Sequence, residues 1–149
     1  MPSGKTHAAF ESFLLPAFVA GYEWFLRPPT VELGIFAGTY LFSSLFLSPD
    51  LDLRRNSARR RWGPLGFIWI PYTIVFKHRG LSHSVILGTM TRLIYLAALS
   101  GFVSLALVYA GMALPQVTFQ PRLLLVAYAG LAIPNILHAT LDRIVSALT

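Results

Sequence analysis

The feature that most constrains this chain is a run without a single charged side chain, from Leu93 to Pro121. A helix needs about 20 mostly apolar residues to cross the hydrocarbon core of a bilayer, so this run can contain a membrane span. Among all 149 residues, 55% are hydrophobic and only 12% are charged, whereas soluble domains carry about 25% charged residues. Too little polar surface remains to cover a soluble particle. The sequence therefore predicts an all-α integral membrane protein.

The chain divides into four apolar segments of spanning length and one shorter one. The prolines and glycines between them mark turns. The shorter segment is rich in Trp, Tyr and Pro, which is typical of an interfacial or re-entrant helix. We predict a single domain over residues 1–149, a bundle of about four transmembrane helices plus this short helix. The predicted spans are 8–26, 33–49, one within 93–121 that begins near or upstream of Arg92, and 123–141; the short segment is 62–76.

Basic residues predict the orientation of the bundle. The formal net charge is +6, and five arginines follow the second span. Loops rich in Lys and Arg face the cytoplasm, which places both termini there, in a bacterial inner membrane or its equivalent. No aromatic platform is interleaved with the arginines, so we expect contact with anionic lipid and not with nucleic acid. The five are Arg54, Arg55, Arg59, Arg60 and Arg61.

In this topology every histidine and aspartate falls at the cytoplasmic ends of helices or in cytoplasmic loops. The topology follows from the apolar segments and the basic residues alone. The convergence of the histidines and aspartates on one end is therefore independent evidence for a shared site. Ionisable residues near membrane depth are usually functional. Imidazole and carboxylate together are ligands of zinc, manganese or iron, and the absence of cysteine excludes thiolate ligands. The predicted metal ligands are His7, Asp50, Asp52, His78, His83, His138 and Asp142.

The spacing of these residues supports a shared site. His138 and Asp142 are four apart on one helix face, and a short turn separates His78 from His83. Asp50 and Asp52 follow a helix end, where they can bridge two ions or bind separate ones. Seven candidates exceed the needs of one tetrahedral ion. The site is therefore dinuclear, or some members orient the histidines.

Two nearby residues have several roles open. Glu11 lies four residues after His7 on the same helix face, and can be a ligand, a general base or an acid at the membrane interface. Arg79 lies between two histidines. A guanidinium there suits an anionic substrate oxygen, while its simpler interpretation is a charge that sets topology.

Several of these motifs together resemble a known group. They are the N-terminal segment 1–7, Ser-Pro-Asp-Leu-Asp at 48–52, Arg-Trp-Gly at 61–63, Lys-His-Arg-Gly-Leu-Ser-His-Ser at 77–84, and His138 with Asp142. The chain resembles a bacterial family of uncharacterised metal-binding membrane proteins, similar to the YdjM-type inner-membrane metal-dependent hydrolases. The resemblance implies a metal site at His7, Asp50, Asp52, His78, His83 and His138, and supplies no substrate.

Two functions follow as hypotheses. The first is a metal-dependent membrane hydrolase that acts on a phospholipid or lipid-linked phosphate, with zinc as the first choice of ion and manganese or iron as alternatives. The second is a non-enzymatic accessory or assembly subunit whose metal ties helix ends together. An open coordination position would favour the enzyme, and a closed coordination shell would favour the structural role.

Overall fold

The computed structural model describes residues 3–53, 56–76 and 87–148. Every regular element within these ranges is helical, which confirms the all-α prediction. Two short 3-10 segments, Pro49–Asp52 and Gly63–Trp69, accompany the α-helices. In chain order the α-helices are α1 (Gly4–Leu26), α2 (Thr30–Phe46), α3 (Ser57–Arg61), α4 (Ile70–Val75), α5 (Leu87–Tyr109) and α6 (Pro121–Leu148).

Local chemistry explains where the first elements begin and end. The side chain of Ser3 accepts a hydrogen bond from the backbone N–H of Thr6 at 3.2 Å and so caps the start of α1. Arg27 ends this helix in the left-handed conformation, with φ of 43°, and the two prolines that follow cannot continue it. The side chain of Ser48 accepts from the N–H of Asp50 and caps the 3-10 turn after α2. These ends agree with the predicted breaks.

The long helices alternate in direction, and α2 packs against both α1 and α6. At one end of the bundle, His7 near the start of α1 contacts Asp142 near the end of α6. At the other end, Tyr22 donates to Glu32 at 3.1 Å, and Arg122 forms an ion pair with Glu32 at 2.6 Å. We call the end that holds His7 and Asp142 the site end. Both ends of the described chain lie there.

The short helices fold back against the site end. Their aromatic side chains pack with the last residues of α2 and with Tyr95 of α5. The indole N–H of Trp62 donates to the carbonyl of Phe46 at 2.9 Å and fixes this arrangement. The segment 62–76 is therefore helical as predicted, and its position at a membrane interface stays a prediction. The buried members of this cluster are Leu47, Leu51, Ala58, Trp69 and Tyr72.

Three stretches of the described chain are long and apolar enough to cross a membrane: 30–52, 87–109 and 121–148. Helix α1 has 23 residues but contains Lys5, Glu11 and Glu23, and it is not among the three. A helical bundle compatible with a membrane is thus established, while the fourth span stays a prediction. The span predicted within 93–121 ends at Tyr109, because the chain turns at Gly111 with a φ of 80°.

Helix α5 is joined to the rest of the bundle mainly through its first three turns. Thr91 shares a hydrogen bond of 3.0 Å with the hydroxyl of Tyr72, and Tyr95 donates to the carbonyl of Ile68. From Gly101 to Tyr109, every residue except Ser104 is exposed. The apolar side chains of this outer half therefore lie on the surface of the bundle, which is compatible with a membrane protein.

Candidate metal centre

Two buried histidines from opposite ends of the sequence form the middle of the site. The rings of His7 on α1 and His138 on α6 stack with centroids 3.6 Å apart and planes 17° apart. His138 is 0% exposed and His7 is 2% exposed. Buried polar rings of this kind require partners, and acidic side chains supply them on several sides.

Asp142 joins the two histidines. Its Oδ1 lies 3.1 Å from Nε2 of His7, and its Oδ2 lies 3.8 Å from Nε2 of His138. Among the described residues, these three form a group whose ligand atoms all lie within 4.8 Å of one another. The structure therefore brings together three of the seven predicted ligands.

Glu11 holds the far side of His138. Its Oε1 lies 3.2 Å from Nδ1 of His138, and the residue is 2% exposed. The backbone carbonyl of Glu11 also accepts a hydrogen bond of 2.8 Å from the hydroxyl of Tyr40. A carboxylate on the second ring nitrogen of a histidine is the usual partner that orients a metal ligand. Burial argues against the interfacial acid. The ligand and general-base roles stay open, and the contact with His138 adds an orienting role.

Asp50 approaches the same histidine from the turn after α2. Its Oδ1 lies 3.7 Å from Nε2 of His138. A Cβ atom built on Gly4 would lie 3.5 Å from Oδ2 of Asp50 and would also collide with the hydroxyl of Ser57. The glycine therefore lets the start of α1 come close to the turn that carries Asp50.

Asp52 is buried at 5% exposure on the same 3-10 turn as Asp50. Its charge acts on Arg92 and Tyr72, and it is not in the close group formed by His7, His138 and Asp142. Its assignment as a ligand stays a prediction.

Two predicted ligands, His78 and His83, lie outside the described residues, as does Arg79. Their assignment to the site stays a prediction. Glu32 pairs with Arg122 at the opposite end of the bundle, away from the site.

The donor set fits a divalent ion. Four ligands about 2.1 Å from a tetrahedral zinc ion lie about 3.4 Å from one another. The separations of 3.1, 3.7 and 3.8 Å among the imidazole nitrogens and carboxylate oxygens bracket that value. Nδ1 of His7 is buried and has no hydrogen-bond partner within the described ranges. Because Nδ1 points away from the side of the ring that carries Nε2, an ion held at Nε2 does not explain this orphan.

Electrostatics at the start of α1 also suit a metal ligand. Burial lowers the pKa of the His7 imidazole, and the neighbouring His138 lowers it further, against the opposing effect of the carboxylates. The neutral imidazole is the form that binds metal ions.

Similarity to known proteins agrees with a metal-binding site. A family described as "Uncharacterized metal-binding protein (DUF2227)" matches residues 2–149, and the chain belongs to this family. An uncharacterized protein of Aquifex aeolicus (strain VF5) is 46% identical over 57 residues. That match covers 38% of this chain and 40% of the relative. No solved structure matches the chain.

Proposed function

We propose that this protein holds one divalent metal ion, with zinc as the preferred ion, at the site end of its helical bundle. His7, His138 and Asp142 would bind the ion, Asp50 would approach as a fourth ligand, and Glu11 would orient His138. The observation that carries the proposal is the convergence of two stacked, buried histidines and a shared aspartate from α1 and α6. Manganese and iron accept the same donor types and are the alternatives to zinc.

Burial of the site favours a structural role for the ion. The side chains of His7 and His138 are 3% and 1% exposed, and that of Asp142 is 11% exposed. An ion here would tie the first turn of α1 to the last turns of α6 and to the turn after α2. In this interpretation the ion has a structural role and fastens helix ends together. Such a role suits a membrane accessory or assembly subunit.

Hydrolysis is the second candidate function, and the ligand count favours it. Catalytic zinc sites commonly use three protein ligands and leave a fourth position open, and three ligands form the close group here. A bound ion would supply Lewis acidity toward a phosphoryl or carbonyl oxygen. The membrane setting and the resemblance to YdjM-type hydrolases suggest a phospholipid or lipid-linked phosphate as substrate.

Elemental analysis of the purified protein in detergent tests whether a metal ion is bound. An Asp50→Asn variant distinguishes a structural ion from a catalytic one. We expect about one zinc ion per chain in the wild type. If Asp50 closes the coordination shell, the variant should lose affinity for zinc. If Asp50 instead serves turnover, the variant should keep its metal and lose hydrolysis of phospholipid, phosphomonoester or ester substrates. Wild-type protein that binds none of the three metals would refute the proposal.

We also propose that the site end faces the cytoplasm of a bacterial inner membrane and contacts anionic lipid there. The arginine cluster supports this placement. Arg60 is exposed on α3, while Arg59 and Arg61 donate to the carbonyls of Gly66 and Leu45, each at 2.9 Å. Arg54 and Arg55 lie outside the described residues. Each basic residue near an anionic leaflet contributes about 1 kcal/mol of binding.

Cysteine labelling should show the two ends of the bundle on opposite sides of the membrane. The chain contains no cysteine, so Gln116→Cys and Ser146→Cys each provide a single reactive position. Both positions are exposed; residue 116 lies in the segment that precedes α6, and residue 146 lies near the end of α6. In intact cells, a thiol reagent that does not cross the membrane should label only residue 116. Labelling of residue 146 under the same conditions would reverse the proposed orientation.

A further inference from the structure

A guanidinium is buried close to the proposed metal centre. Arg92, in the second turn of α5, is 1% exposed. Its Nε donates to the carbonyl of Gly88 at 2.8 Å, and its Nη1 donates to the carbonyl of Leu47. A buried charge is costly unless it is paired and hydrogen-bonded, so the arginine must be compensated by charges nearby.

The compensating charges belong to the site. The guanidinium interacts electrostatically with Asp52, Asp50 and Glu11, and also with the hydroxyl of Tyr72. Asp50 and Glu11 are two of the carboxylates that contact His138. Arg92 therefore interacts electrostatically with residues of the proposed metal centre, although its own helix, α5, contributes none of the proposed ligands.

We propose that Arg92 is a positioning residue of the metal centre, which fixes the turn that carries Asp50 and balances the charge of the clustered carboxylates. This inference rests on the proposed metal centre. Leu47 is the C-cap residue that follows α2, and only Ser48 separates it from the 3-10 turn of Pro49–Asp52. The last carbonyls of a helix lack partners within the helix, and Arg92 satisfies this one. By holding Leu47, the arginine holds the entry to the turn.

Charge balance is the second part of the role. Glu11, Asp52 and Asp142 are buried, and the side chain of Asp50 is only 18% exposed. Carboxylates gathered at low dielectric repel one another, and within the described chain Arg92 is the permanently charged cation buried among them. A fixed cation here lowers the cost of assembling the site before the metal arrives.

A purely structural role for Arg92 predicts a different outcome. In that case, removal of the arginine would loosen α5 and lower the melting temperature, while folded protein would bind metal as before. Metal affinity and the coordination spectrum are therefore the readouts that separate positioning from simple packing.

The test compares Arg92→Met and Arg92→Lys with Arg122→Met as a matched control. Arg122 also pairs with a buried acid, but at the opposite end of the bundle. Each protein is purified in detergent, its zinc affinity is measured by competition with a chelating dye, and its Co²⁺ absorption spectrum is recorded. We expect Arg92→Met to lose roughly 10–100-fold in affinity, as is usual when partners of metal ligands are removed, and to change the cobalt spectrum.

The two remaining variants complete the test. Arg92→Lys should give an intermediate affinity because it keeps the charge but loses the forked hydrogen bonds, and Arg122→Met should match the wild type. Wild-type affinity and spectrum in Arg92→Met would overturn the inference. If Arg92→Met does not fold, Arg92→Lys decides alone, and wild-type values in both readouts would overturn it. Absence of metal binding by the wild type would instead refute the proposed metal centre.

Discussion

Replacing His138 with alanine should remove the metal ion from the purified protein. His138 is fully buried, stacks on His7, and presents its Nε2 to both Asp50 and Asp142. Asp142→Asn should have a similar effect with less change in volume, because the amide cannot supply a negatively charged oxygen to both histidines. We expect the zinc content to fall from about one ion per chain to near zero in each variant.

Thermal unfolding distinguishes loss of a ligand from loss of the fold. A metal that binds only the folded state stabilises it by about 2.7 kcal/mol when its free concentration is roughly 100-fold above Kd. Added zinc should therefore raise the melting temperature of the metal-depleted wild type and leave that of both variants unchanged. Glu23→Gln, an exposed acid near the opposite end of α1, is the matched control and should behave as the wild type. Full zinc occupancy in both variants would exclude this site.

Replacing Gly130 with alanine should strongly destabilise the bundle. Gly130 lies where the backbone of α6 meets that of α2. A Cβ atom at this position would lie 2.6 Å from the carbonyl oxygen of Phe36 and 3.2 Å from the backbone nitrogen of Tyr40. Neither atom can move without the helix that carries it. Close helix approach at small residues is a main source of stability for helices in membranes, and overpacking costs about 1–3 kcal/mol.

The chain offers a clean control for this substitution. A Cβ at Gly101 in α5 would meet nothing within 4 Å, and alanine favours a helix over glycine by about 1 kcal/mol. Gly101→Ala should therefore melt at or above the wild-type temperature in detergent, while Gly130→Ala should melt well below it. Gly130→Leu should be worse still, and should also bind less zinc, because α6 carries His138 and Asp142. Equal melting temperatures for the two alanine variants would contradict the close contact.

Much of the fold follows from the sequence because apolar length and helix breakers are local signals. The ends of α1 and α2 agree with the predicted turn around Arg27 and the predicted stop before Asp50. The pairing of His138 with Asp142 followed from their spacing of four. Which helices pack together, and how closely, depends on features such as Gly130 whose importance appears only when two backbones meet.

The site was predicted less completely for a related reason. How Asp50 and Asp52 approach an ion depends on the 3-10 turn that carries them, which a predicted helix end does not reveal. Glu11 had three roles open in the sequence, because only the rotation of α1 decides whether it faces outward or contacts His138. Its spacing of four from His7 was the available signal. Arg92 entered the sequence analysis only as the charge that bounds an apolar run, and its burial emerges from the packing of α5.

The uneven packing of α5 has a consequence for how this sequence can drift over evolutionary time. Its first turns are fixed by shape and by hydrogen bonds, through Thr91, Arg92 and Tyr95. Its outer half exposes bulky apolar side chains, with Phe102 at 71% and Tyr109 at 95%. In the proposed membrane these positions meet only fluid hydrocarbon, which constrains their polarity and hardly constrains their shape. Leucine, isoleucine, valine and phenylalanine should therefore replace one another freely there, while the first turns of the same helix change slowly.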